Sequence, residues 1–390
     1  MKFTKSTIYA VMIATAASLG SCDKSSDDPS TDEQTERDAT FQTIAEQYVN
    51  NTVIATYKDL ADQTEQLTEK LAALKAEKTD ANVQAACDIF LEARASWEKS
   101  EAFLYGAASD FGIDPHIDSW PLDLDGLLTA LNNTAQIEAM AGEDGDVYAG
   151  EKLGNSLLGF HGIEYIIFEN GGAKPASSIS DLQLIYATAV AGDLRNCCYR
   201  LHLSWAGEDA VEAPRLEKVQ DLDVPYTING GTFSYGENML KAGQAGSTYS
   251  SKTAAMLAIV DGCKTIADEV GTSKIGKPYT GEDVNYIESP YSYKSIQDFY
   301  DNMVSIENAY KGGAEGKRDE SKSLHSYVSS INPTLDKQVT DAIDEAKSKI
   351  MAMKAPFVQN YTDPSAGEAI EACKALDNIL STLKNELGNR

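Results

Sequence analysis

Apolar residues recur at helical spacing along almost the whole chain. Tyr57, Leu60, Leu67, Leu71 and Leu74 form one stripe, and Ala86, Phe90, Ala93, Trp97 and Leu104 form another. This is the repeat of an amphipathic helix. A third helix is expected to begin near Leu122 and a fourth to cover 151–169. Gly171-Gly172 and Pro175 then break the pattern. Leu182, Tyr186, Val190, Leu194, Leu201 and Trp205 mark a long fifth helix. Residues 208–248 hold Pro214, Pro225 and Gly230-Gly231 and read as an irregular excursion with room for short strands. Helices resume over 250–270, 294–311, 334–353 and 365–386. The pattern predicts an all-α chain of two helical bundles, 39–175 and 176–390, with the excursion in the second.

The first residues read differently. Lys2 and Lys5 precede an apolar run from Ile8 to Leu19, too short to span a bilayer. The run ends Leu19-Gly20-Ser21-Cys22, which resembles the lipobox of bacterial lipoproteins. That resemblance implies a signal peptide over 1–21, lipidation of Cys22, and an outer-membrane lipoprotein facing the periplasm or the cell surface. An ordinary secretory signal with a chance cysteine is the plainer alternative. Residues 22–38 are polar and acidic and are expected to form a disordered tether. Contact with the membrane is expected through the lipid alone.

The chain is strongly acidic, with a net charge of −27. Such a surface repels nucleic-acid phosphates and anionic headgroups, so nucleic acid is excluded as a partner, while cations are attracted. Beyond Cys22 five cysteines remain, Cys87, Cys197, Cys198, Cys263 and Cys373, with no Cys-x-x-Cys pair. A thiolate zinc site is therefore not indicated, one disulfide is possible, and most of these residues read as small core side chains.

Three places put polar residues where the stripes call for apolar ones. His161 and Glu164 lie at i and i+3 in Gly159-Phe160-His161-Gly162-Ile163-Glu164 and so share a helix face. Their partner could be a metal ion, a substrate or each other. Glu101 falls four residues after Trp97 and is expected either to meet a cation or metal or to be wetted at the bundle's end. Between the second and third helices, His116 and Asp118 could be ligands. Alternatively Asp118 or Ser119 caps a turn and Trp120 plugs the bundle end. His202 and His325 carry no flanking signature. The chain has no His-Glu-x-x-His, no Gly-x-Ser-x-Gly and no phosphate-binding glycine loop in a strand-helix setting.

Taken in order, Ala95-Ser96-Trp97 with Glu101-Ala102-Phe103, Ile117-Asp118-Ser119-Trp120-Pro121, and Gly159 to Glu164 resemble the imelysin-like family. That family includes iron-regulated protein A and an insulin-cleaving membrane peptidase, and its Gly-x-His-x-x-Glu motif matches here. Glu288-Ser289-Pro290-Tyr291-Ser292 and Asp298 match more weakly. The resemblance implies two bundle-like domains and a site where His161, Glu164 and Glu101 hold a divalent metal, iron or zinc. Trp97, Asp118, Ser119 and Trp120 would border it. It also implies a role in iron acquisition beside iron-uptake partner proteins, with binding favoured over catalysis. A metallopeptidase acting on exported polypeptides is the alternative. It would need a separate general base, for which Asp118 is the candidate.

Overall fold

The computed structural model describes residues 31–314 and 316–390. Cys22, the signal segment and the first part of the expected tether lie outside them. The fold is all-α. Its long helices are α1 (Thr31–Tyr48), α2 (Ala55–Ala76), α3 (Asp80–Glu98), the short α4 (Asp114–Ile117), α5 (Gly159–Ile167) and α6 (Asp181–Ala206). They continue with α7 (Lys252–Glu269), α8 (Ser295–Lys311), α9 (Pro333–Met351) and α10 (Pro364–Gly388). No helix among the described residues is long and apolar enough to cross a membrane.

The end of the expected tether is not irregular: residues 31–38 open α1. Most side chains over 32–38 are solvent-exposed, so the segment is polar because it is a surface stretch of helix. Helix α1 then buries Phe41, Ile44 and Tyr48. A π-helical turn, Val49–Ile54, joins it to α2.

Helices α2, α3, α5 and α6 pack as one bundle, and α7 to α10 as a second. The long helix α6 lies along α2, so packing carries the first bundle past residue 175 to the end of α6. Ser180 caps α6 reciprocally with Gln183, a start signal visible in the sequence. Leu182 faces solvent instead of joining the stripe. The excursion at 208–248 forms short helices, Ala213–Asp221 and Tyr235–Leu240, rather than strands. The strands fall elsewhere: β1 (Phe168–Glu169) and β2 (Gly172–Ala173) form a minimal antiparallel hairpin around Asn170-Gly171. That hairpin, with the 3-10 turn Asn155–Leu157, shortens the helix expected over 151–169.

One continuous apolar core runs through both bundles, from Phe41 to Leu387. The bundles meet where α8 packs on α3, and where the 3-10 turn Glu101–Phe103 packs on α7. This junction carries the polar cluster described next. Cys87, Cys197, Cys198, Cys263 and Cys373 are all free thiols, so the possible disulfide is not formed among them.

Candidate functional site

Two glycines set the site's first wall. Gly159 opens α5 with φ +67°, and a Cβ there would lie 1.8 Å from the Ile117 carbonyl oxygen. Only a residue without a side chain lets the Ile117–Asp118 turn sit this close to α5. A Cβ on Gly162 would lie 2.4 Å from the Tyr186 hydroxyl, so α6 presses on the next turn. The motif's glycines are thus close-approach positions. They bring Asp118 and His161 together across the chain.

His161 is 1% exposed. Its Nε2 is 2.9 Å from Asp118 Oδ1 but off the hydrogen-bonding direction, and its Nδ1 is 3.7 Å from Glu164 Oε2. The Trp120 ring lies against the imidazole, with centroids 4.5 Å apart and planes tilted by 55°. Trp97 donates its indole N–H to Asp118 Oδ2 at 2.7 Å. Ser119 is half-buried in the same turn. Glu164 turns its other oxygen to the second bundle. There Oε1 accepts from the Ser292 amide (2.8 Å), the Ser292 hydroxyl (2.7 Å) and the Tyr291 amide (3.2 Å).

Two buried cations hold the rest. Arg94, on α3, bonds Asp118 and lies 2.5 Å from Glu98 Oε1, 3.7 Å from Glu288 Oε2 and 3.7 Å from Asp298 Oδ2. Lys274 reaches Glu288 at 3.3 Å, Glu101 at 3.5 Å and Glu98 at 3.7 Å. Asn302 on α8 donates its side-chain amide to Glu98 Oε2 at 2.5 Å. Six carboxylates (Glu98, Glu101, Asp118, Glu164, Glu288 and Asp298) therefore face three basic groups, Arg94, Lys274 and His161. Three carboxylates are in excess, and burying unbalanced charge is costly unless protons or a cation neutralise it.

The electrostatics follow from this packing. Burial alone would lower the His161 pKa, but Asp118 and Glu164 outweigh it and push it up to about 9. Burial would raise Asp118, yet Arg94 and His161 hold it well below the usual carboxylate range. Burial raises Glu98, Glu101 and Asp298. It also raises Asp114, at the start of α4, to about 7, helped by the charge of Asp118. Burial opposes the charge on Lys274, but Glu101, Glu288 and Glu98 keep it firmly protonated.

The sequence-predicted residues are distributed across this network. Ligand atoms of Glu98, Glu101 and Asp118 all lie within 4.8 Å of one another. His161 and Glu164 join that group through Asp118. Glu101 does not continue the α3 stripe: α3 ends at Glu98, and Glu101 stands in the following 3-10 turn, facing Lys274. His116 is not paired with Asp118; it faces Asp193. Arg94, Glu98, Asp114 and Lys274 escaped the sequence reading. Arg94 and Glu98 leave a trace, an i, i+4 charged pair inside an otherwise apolar helix face. Lys274 leaves none, because all three of its partners come from distant segments.

The cluster offers carboxylate and imidazole groups that could hold a metal ion. Glu98 Oε1, Glu164 Oε2, Glu288 Oε2 and His161 Nε2 are buried in ion-pair contacts without an aligned hydrogen bond.

Two helical bundles meet at a junction that carries Gly159 to Glu164 and a buried acidic cluster. The Imelysin family signature matches residues 53–383, and the chain belongs to that family. It is 26% identical over 355 residues to iron-regulated protein A of Synechococcus elongatus, covering 91% of this chain and 87% of that one. A crystal structure of an iron-regulated protein A precursor from Parabacteroides distasonis superposes with a TM-score of 0.76 at 27% identity, covering 90% of this chain and 95% of the other. An imelysin-like protein from Psychrobacter arcticus superposes with a TM-score of 0.61 at 14% identity, over 90% and 96% of the two chains, and shares the fold.

Proposed function

We propose that this chain is an envelope-anchored lipoprotein that binds a divalent metal, iron or zinc, at the junction of its bundles and serves iron acquisition without catalysis. The observation that carries this reading is the excess of three buried carboxylates over basic groups in one cluster. A divalent cation would relieve that excess in place of protons. Glu98, Glu101 and Asp118 would supply oxygens, and His161 a nitrogen once its proton is displaced. Glu164 would orient the imidazole from Nδ1, as an outer partner commonly does. The iron role rests on the names of the relatives, and anchoring rests on the lipobox at Cys22. Iron-uptake proteins would be the partners.

The burial of these groups favours binding over the peptidase alternative. Glu98, Glu101, His161 and Glu164 are each 7% exposed or less, so a polypeptide would have to displace the half-buried Ser119–Trp120 turn to reach them. A catalytic metal also keeps an open position for water.

Calorimetry of Fe²⁺ and Zn²⁺ on the chain starting after Cys22 tests this. Binding to the parent protein should weaken at least about 10-fold in Glu101→Gln and in His161→Ala, the scale seen on losing even an outer partner of a metal. Affinities unchanged in both variants would remove the cluster from the site. Chelator-sensitive peptide cleavage lost in the same variants would restore the peptidase reading.

A further inference from the structure

A second cluster of donor atoms lies outside the central network. His116, in α4, places Nε2 2.8 Å from Asp193 Oδ2. Asp193 and Cys197 stand one turn apart on α6 and share a face of that helix. One ligand atom from each of His116, Asp193 and Cys197 lies within 4.8 Å of the other two. The group borders a cavity of about 470 Å³, whose lining includes Gly150, Asn196 and Arg200. The helix Gly145–Lys152 is shaped to admit the carboxylate: a Cβ on Gly150 would fall 2.1 Å from Asp193 Oδ1. Asp193 is 7% exposed, whereas the His116 side chain is 21% exposed and gives the group a way to solvent.

We propose that His116, Asp193 and Cys197 form a second metal site, independent of the bundle junction, that takes one zinc-class divalent ion and leaves a fourth position toward the cavity. The donor set argues for that class. One imidazole, one carboxylate and the thiolate that Cys197 becomes when the ion displaces its proton to solvent form the mixed nitrogen, oxygen and sulfur set that zinc accepts, whereas calcium and magnesium require oxygen ligands throughout. Zinc bonds to such atoms at about 2.0–2.3 Å. The three donors close on an ion by side-chain rotation, with His116 Nε2 exchanging its contact to Asp193 for the metal. Three protein ligands with an adjoining cavity leave room for a water or a small anion, and Arg200 in the lining favours the anion.

The test is titration of the full mature chain with Co²⁺ alone, followed by its absorption spectrum. A cobalt–thiolate charge-transfer band is expected. Among the described residues the central cluster holds no cysteine in its ligand groups, so this band reports the second site whatever the fate of the first. The band should vanish in Cys197→Ser and persist in Cys198→Ser and in Glu101→Gln. His116→Gln should retain the band and bind Co²⁺ at least about 10-fold more weakly. Circular dichroism verifies that each variant is folded. Absence of the band in the parent protein, or its survival in Cys197→Ser, overturns the proposal. Should Cys197→Ser fail to fold, an unchanged Co²⁺ affinity in His116→Gln overturns it equally.

Discussion

Asp118 and His161 stand 2.9 Å apart, and each holds the other in its charged form. The pair joins a loop turn to α5, with Trp97 and Arg94 fixing the carboxylate from α3. Because the folded-state pKa of His161 is raised to about 9 from an ordinary 6.5, the folded protein holds its proton more tightly than the unfolded chain. The resulting stabilisation is fully present below pH 6.5 and is lost as pH rises through about 9. Its size is on the order of 3 kcal/mol. In Asp118→Asn the imidazole should titrate well below 9 by NMR, and the loss of stability between pH 6.5 and 9 should flatten. An unchanged titration would mean that Asp118 does not set the charge of His161.

Asp114 behaves in the opposite sense. Burial and Asp118 raise its pKa to about 7 from 3.8, so the folded state resists its ionisation. That penalty is absent below pH 3.8 and is complete above about 7. Asp114→Asn should therefore stabilise the protein at pH 8, by roughly 2 kcal/mol. The gain should fade as pH falls toward 4. Denaturant unfolding at the two pH values measures it, and a gain that is constant across them would refute the assignment.

Gly159→Ala should damage the site through the backbone. The residue has φ +67°, and its Cβ would collide with the Ile117 carbonyl carbon and oxygen. Backbone atoms cannot rotate aside as a side chain can, so α5 and the Asp118 turn must separate. A loss of more than about 2 kcal/mol is expected. The His161 pKa should fall in parallel, because the imidazole moves away from Asp118. A variant as stable as the parent would show that the two segments do not touch.

The fold was legible because its signals are local. Helical stripes such as Tyr57 to Leu74 need only the chain's own periodicity, and those residues are buried on α2 as expected. The hairpin at 168–173 and the short helices of 208–248 were not legible. Each is a few residues long, and the segment around it decides its form. The same division holds at the junction. His161 and Glu164 stood out because a polar pair interrupted an apolar helix. Glu101 stood out too, but its helix stops at Glu98, and the 3-10 turn re-aims the side chain toward Lys274. Lys274 was invisible because no local pattern marks it; its burial among Glu98, Glu101 and Glu288 exists only after the second bundle docks on the first. For His116 the partner was not legible, since Asp193 lies on a different helix.

Arg94 gives the sharpest test of the charge argument. Its guanidinium serves Asp118, Glu98, Glu288 and Asp298 while only 1% exposed. Arg94→Met keeps the length of the side chain and removes the charge, leaving Lys274 and the His161 imidazolium to face those groups. Breaking a buried ion network from one side costs about 3–5 kcal/mol, because the remaining charges stay buried without a partner. The loss should be largest near pH 8 and should shrink toward pH 4.5, since protonation removes the stranded charge. Arg94→Lys should recover only part of it, because an ammonium cannot match the planar fork. A divalent cation offers a second remedy. If the acidic cluster accepts one, millimolar Zn²⁺ should raise the melting temperature of Arg94→Met more than that of the parent protein, because it binds the folded state alone. That difference should disappear when Glu101→Gln is added. Equal responses to Zn²⁺ in all three proteins would mean that protons, rather than a metal, balance the excess acid at the junction.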